Sequence, residues 1–322
     1  MSSKGLRVSP RVGALGGISA LTVAALFATV MPAHALEDDG EGAARAAAVV
    51  EKATGTVDLV DVSPAGGGAA KAVADAPAGR VTTMAPAHAD GRVTSSAPGG
   101  NTVSIGLPAT RNVPGSEAGA GTVVYPDAAR STDLAIQPTT DGGLRTLVTL
   151  KDSTAATTQR FDLKAPENAS LTEDGKGGYE VTRPLANGGH LVLATIDAPW
   201  AKDANGKTVQ TWYRIDGSQL VQTIEADDHT AFPVVADPKI TWGIVTGTAY
   251  FNKRETRVIA DNGALSGAIG YFLPPGLNAY WGAHAVVIGT VATKAKSAKK
   301  CLKVKFAAGL FLPDQYSGGY CK

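Results

Sequence analysis

The side chains best placed to do chemistry lie near the C-terminus. Cys301 and Cys321 are the only cysteines of the 322-residue chain. In an oxidising compartment one intramolecular pairing is open to them. It would close a loop of about 20 residues and contribute about 3 kcal/mol in the chain-entropy account; two free thiols are the alternative. Around the first cysteine crowd Lys294, Lys296, Lys299, Lys300, Lys303 and Lys305. Lysines close to an anionic surface contribute about 1 kcal/mol each, so this cluster could attach to an anionic membrane or wall polymer; solvated lysines on a small disulfide-stapled domain whose core is the apolar hairpin are the plainer reading. Trp281, in the apolar stretch upstream, is the aromatic that would enter such a surface.

Other chemical patterns are fragmentary. Gly206-Lys207-Thr208 ends like a phosphate-binding loop, but Ala201 stands where the first glycine belongs, so a hairpin turn explains the pair better. Asp197, Asp203 and Asn205 lack the spacing and closing glutamate of a calcium loop. Asp227-Asp228-His229 could orient an imidazole, but a solvated turn is the better reading. His88, His190 and His284 are scattered. No G-x-S-x-G or H-E-x-x-H motif is present, and no cofactor or metal signature.

The elements that must position these residues divide into four segments. Lys4, Arg7 and Arg11 precede an uncharged run from Val12 to Val30, and Ala33-His34-Ala35 fits a signal-peptidase site. Residues 1–35 are therefore expected to direct export, with the mature chain starting at Leu36; an uncleaved anchor is the alternative. Residues 36–100, rich in Ala, Gly and Pro, read as a largely disordered spacer or pro-segment holding one short helix at Ala43–Lys52.

From residue 101 the pattern alternates with period two. Leu134/Ile136, Leu144/Thr146/Val148/Leu150, Phe161/Leu163, Tyr179/Val181 and Leu191–Ile196 mark strands separated by turn residues. Asn205-Gly206 and Asp216-Gly217 are hairpin signals flanking an alternating strand from Thr208 to Ile215. So many short strands predict an all-β, sandwich-like domain over 101–237. Over 121–237 ten Lys+Arg face sixteen Asp+Glu, a balance of −6.

Residues 238–322 reverse the sign. Eleven Lys+Arg stand against Glu255, Asp261 and Asp314, a balance of +8 hidden in the chain's overall +1. Asn252 with Glu255 resembles a capping box opening a helix. From Val258 to Thr293 the one charged residue is Asp261. Pro274-Pro275-Gly276 splits that run, predicting a helical hairpin in a small α+β module closed by disulfide-linked strands. Gly263-x-x-x-Gly267 would let helices approach closely, and Leu277–Thr293 is at the lower limit for spanning a bilayer.

The stretch PWAKDANGKTVQTWYRIDGSQLVQTI followed by FPVVADP resembles a group of uncharacterised actinobacterial secreted proteins, in which a signal peptide, an Ala/Gly-rich spacer and a β-rich domain precede a variable C-terminal module. The resemblance continues upstream through Ile105-Gly106-Leu107-Pro108, Val124-Tyr125-Pro126 and Gly143-Leu144-Arg145. It implies secretion and a β-sandwich-like domain, and it carries no activity.

Together these readings predict a secreted, non-enzymatic protein of unknown role, a structural or interaction module of the cell envelope. A membrane- or wall-active cationic effector and a hydrolase with an unrecognised site are the alternatives. The expected partner is an anionic wall polymer or membrane surface; near-neutral overall charge argues against nucleic acid. The oligomeric state is open.

Overall fold

The structure, a computed structural model, describes residues 38–76, 79–97, 100–184, 189–242, 248–262, 278–307 and 310–322. The expected signal segment, with Ala33, Ala35 and Leu36, lies outside the described residues.

Helix α1 (Asp38–Thr54) contains the short helix expected at Ala43–Lys52. Ala43, Ala46, Ala47 and Val50 recur at one-face helical spacing and are buried, packed against Val124, Ala135, Leu147 and Val235.

The expectation of a disordered spacer over 36–100 is overturned. The chain continues into β1 (Val62–Gly66), β2 (Ala69–Ala76), β3 (Gly79–Ala85), β4 (Arg92–Ala97) and β5 (Asn101–Gly106), an antiparallel meander. Ala70, Ala72 and Ala74, then Val81, Thr83 and Ala85, then Val93, Ser95 and Ala97 turn inward at alternate positions. Small side chains suffice there because larger ones reach across from the facing sheet. Ladder hydrogen bonds satisfy the backbone without demanding hydrophobic bulk.

The following strands are β6 (Ser116–Ala118), β7 (Thr122–Ala129), β8 (Thr132–Pro138), β9 (Leu144–Leu150), β10 (Thr158–Lys164), β11 (Ser170–Glu173), β12 (Tyr179–Pro184) and β13 (His190–Ile196). Then come β14 (Ala201–Lys202), β15 (Thr211–Asp216), β16 (Gln219–Ile224), β17 (Val234–Ala236), β18 (Lys239–Trp242) and β19 (Thr248–Tyr250). Helices α2 (Lys253–Asn262) and α3 (Asn278–Ser297) precede β20 (Cys301–Ala307) and β21 (Leu310–Tyr316).

One sheet runs β1-β2-β3-β4-β5-β10-β16-β15 and the other β21-β20-β19-β13-β18-β9-β8-β7-β6, with β12 and β11 added beyond β13, and β17 and β14 beside β9. Residues of both sheets, including Val93, Ile105, Phe161 and Leu220 from the first and Tyr125, Leu134, Val148 and Ile240 from the second, form one core. The expected sandwich is thus present, and α1 covers the outer face of its second sheet. All of β8 is buried because it lies between that helix and the opposing sheet.

The Thr208–Ile215 alternation holds: Val209 and Tyr213 are buried, while Gln210, Trp212 and Arg214 are exposed. Asp216-Gly217 makes the β15–β16 turn, with Gly217 at φ 62°.

The junction expected at residues 237/238 is not a break. β17 and β18 both pair with β9, and β18 also pairs with β13. Ile240 and Trp242 sit in the sandwich core, where the Trp242 indole N–H donates to Ser95 Oγ at 2.7 Å. A second core begins only at Ala249, built from Phe251, Ile259, Ile288, Leu302, Val304 and Phe311, and Leu191 packs against both cores. The C-terminal part prolongs the second sheet through the β13–β19 and β19–β20 ladders.

Candidate functional site

The disulfide is present, with Cα atoms of Cys301 and Cys321 5.6 Å apart. The capping box is also present. The Asn252 N–H donates to Glu255 Oε2 at 2.8 Å, and the Glu255 N–H donates to Asn252 Oδ1 at 2.9 Å.

The six lysines do not form one cluster. Lys294 and Lys296 lie in the last turns of α3, and Lys299 and Lys300 in the turn after it. Lys303 and Lys305 point from β20 to the sheet face opposite the helices, since the intervening Leu302 and Val304 pack in the helix-covered core. Lys296 pairs with Asp261, bringing the C-terminal ends of α2 and α3 together, and Lys303 pairs with Asp314 at 3.2 Å.

With Glu255 engaged in the cap, all three acids of 238–322 are used internally. Lys239 is taken by Asp141 at 2.7 Å. Lys253, Arg254, Arg257, Lys294, Lys299, Lys300, Lys305 and Lys322 are exposed and make no ion pair among the described residues.

Helix α3 buries Ala285, Ile288, Ala292 and Ala295, whereas Val286 and Val287 are 72% and 51% exposed. Val286, Thr290 and Lys294 follow one another at four-residue spacing along the open face. Trp281 lies on α3, but its side chain, like Gly263, Gly267 and Pro274-Pro275-Gly276, falls outside the described residues. Among the described residues no helix is long and apolar enough to cross a membrane.

Sequence reasoning missed a cleft of about 710 Å³ on the outer face of the second sheet. It crosses β11, β12, β13, β19, β20 and β21, which bring Thr172, Glu180, Thr195, His190, Tyr250, Lys303 and Tyr316 to one surface. The turns add Asp174, Lys176, Asp197 and Tyr320.

Its aromatic wall is rigidly held. Tyr250 and Tyr316 meet edge to face with centroids 4.9 Å apart, and Tyr320 stacks on His190 at 4.2 Å. Two of the tyrosine hydroxyls are engaged, Tyr316 donating to Phe251 O at 3.0 Å and Tyr320 donating to Glu255 Oε1 at 2.9 Å. Glu255 Oε1 also accepts the Gly189 N–H at 2.9 Å, and the Tyr320 hydroxyl accepts from Asn252 Nδ2 at 3.2 Å. The helix cap and the disulfide at Cys321 thereby fix the wall's position.

Burial pushes the Tyr250 hydroxyl up to about 12, aided by the Glu180 carboxylate. Glu180 is itself raised, first by burial and then by Asp174, against the lowering effect of Tyr250. Asp197 is raised by burial, and by Asp141 and Asp174 against Lys239. Of the expected histidines, only His190 reaches the cleft. His88 and His229 are exposed elsewhere, and His284 lies near Phe311.

The fragmentary motifs are turn chemistry. Asp203 Oδ1 accepts the N–H groups of Asn205 and Lys207, both at 2.9 Å, and Gly206 adopts φ 79°. Asp227 Oδ1 likewise accepts the His229 N–H at 2.9 Å. Among the described residues no group of three or more His, Cys, Asp or Glu side chains is placed to hold a metal ion.

Comparison with protein-family models, with curated proteins and with solved structures finds no match.

Proposed function

We propose that the protein is an exported, non-enzymatic interaction module of the cell envelope, held to an anionic surface by its helical C-terminal end. The kinship to actinobacterial secreted proteins and the signal-like 1–35 segment belong to the same proposal. The carrying observation is the set of exposed cations on and beside the helices, Lys253, Arg254, Arg257, Lys294, Lys299, Lys300 and Lys322, left without acidic partners once Glu255, Asp261 and Asp314 are used. Exposed charges of one sign, uncompensated within the fold, create a field that recruits the opposite sign, screened over about 8 Å at physiological salt.

The test is sedimentation of the mature protein with anionic vesicles, neutral vesicles and isolated cell wall at rising salt. Binding to an anionic surface should weaken steeply with salt, and Lys294→Gln/Lys299→Gln/Lys300→Gln should reduce it without shifting the melting temperature. No binding to either surface at low salt would overturn the proposal. Exposed Val286 and Val287 favour a membrane-active form of the same reading, for which Trp281 fluorescence should shift blue on anionic vesicles. An unchanged spectrum with retained wall binding leaves the wall polymer as the target.

A further inference from the structure

The cleft across β11, β12, β13, β19, β20 and β21 lies on the sheet face opposite α2 and α3, so it is separate from the helix-end cations. We propose that it is a glycan-binding groove, selective for chains of amine-bearing or neutral sugar units over acidic ones. Three features of the cleft carry this: its length, its fixed aromatic rings and its sign of charge.

Six strands at about 4.8 Å spacing make a surface roughly 24 Å long, enough for a linear chain of several sugar rings. The groove runs over side chains across the sheet face and meets free strand edges only at its two ends, β11 and β21, so main-chain pairing with an extended peptide is not available along its floor. With the Tyr316 and Tyr320 hydroxyls bound to Phe251 O and Glu255, and Tyr250 packed edge to face on Tyr316, the tyrosines offer a ligand their rings. Rings held this way provide apolar platforms for the C–H faces of sugars at little entropic cost, and the same rings attract an ammonium group. The Thr195 hydroxyl and the carboxylates of Glu180 and Asp197 supply hydrogen bonds to hydroxyls and amines beside them.

Charge sets the selectivity. Glu173, Asp174, Glu180 and Asp197 face the groove against Lys176 and Lys303, and Lys303 is already engaged by Asp314. Asp197 makes no hydrogen bond or ion pair through its side chain among the described residues, and Asp174 is spent on the N–H groups of Lys176 and Gly178. The ladder sets Glu180 opposite Thr195, placing Asp197 on the diagonal, about 7–8 Å away. The half-buried Glu180 and the exposed Asp197 carboxylates at that separation favour an ammonium between them and repel a uronate.

The experiment is calorimetric titration of the mature protein with three pentasaccharides: glucosamine, N-acetylglucosamine and galacturonate. Expected affinity falls in that order, with the galacturonate oligomer at least about tenfold weaker than the glucosamine one, a difference of about 1.4 kcal/mol. Asp197→Asn, which breaks no contact of the fold, should erase most of the preference for glucosamine while leaving N-acetylglucosamine binding within about twofold. Tyr250→Phe keeps the ring and should bind like the parent. Galacturonate binding as tightly as glucosamine, hexalysine displacing the glucosamine oligomer at equal concentration, or no oligomer binding at millimolar concentration would each overturn the proposal. Lys294→Gln/Lys299→Gln/Lys300→Gln should leave the titration unchanged, so failure here and failure of surface attachment are read separately.

Discussion

Asp237, in the FPVVADP stretch, is fully buried, and its Oδ1 accepts the Trp200 N–H at 3.0 Å and the Tyr213 hydroxyl at 3.1 Å. Its Oδ2 has no partner, and burial pushes its pKa up to about 7. The folded state therefore holds this proton more tightly than the unfolded chain does. Its contribution favours folding below the ordinary carboxylate range, declines as pH rises from about 4 to about 7, and is then exhausted. The total change is of order 4 kcal/mol. Asp237→Asn, which mimics the protonated form, should flatten that decline in urea unfolding measured from pH 4 to pH 8; an unchanged slope would refute the assignment. The motif was visible in the sequence, but the role of its aspartate was not. Nothing local says that Trp200 and Tyr213 converge on Asp237 across the sandwich.

Glu255 shows how one element can be read correctly and its purpose missed. Its spacing from Asn252 announces a helix start, and α2 begins there. The same carboxylate also accepts the Gly189 N–H and the Tyr320 hydroxyl, tying the helix to the cleft wall. Glu255→Ala should cost about 1–3 kcal/mol through the lost cap and the stranded donors. It should also weaken glycan binding through Tyr320, whereas Arg254→Ala, on the exposed side of the same turn, should change neither. Equal denaturation midpoints for Glu255→Ala and the parent would contradict this. Cys321→Ser should likewise loosen Tyr320, measured as lost oligosaccharide affinity before any loss of sandwich stability. At this scale strands with bulky alternation, such as β8, β9 and β13, were legible. β2 to β4 were not, because alanine, threonine and serine alternating with polar residues resemble a spacer until a facing sheet supplies the bulk. The cleft was illegible for a different reason: Glu180 and Tyr316 come from distant parts of the chain and meet only through the β13–β19–β20–β21 pairings.

For the whole molecule, the expected cut into spacer, β domain and C-terminal module gives way to a sheet shared from α1's docking face to the disulfide. A fragment of residues 101–237 lacks β1 to β4 beside β5 and lacks β18 between β9 and β13. It should fail to unfold cooperatively in thermal circular dichroism, whereas residues 38–242 should show a single transition. Cooperative melting of the shorter fragment would restore the original boundary. The place of β18 also carries a consequence in time. The second sheet is continuous only after the strand at Lys239–Trp242 slides between β9 and β13, which are complete in the chain long before it. Pairings that remote in sequence close slowly, and the pieces waiting for them stay open. A chain threaded N-terminus first through a narrow pore would thus have most of its length across before its central ladder could lock. Late closure would keep it threadable during passage and let it set on the far side.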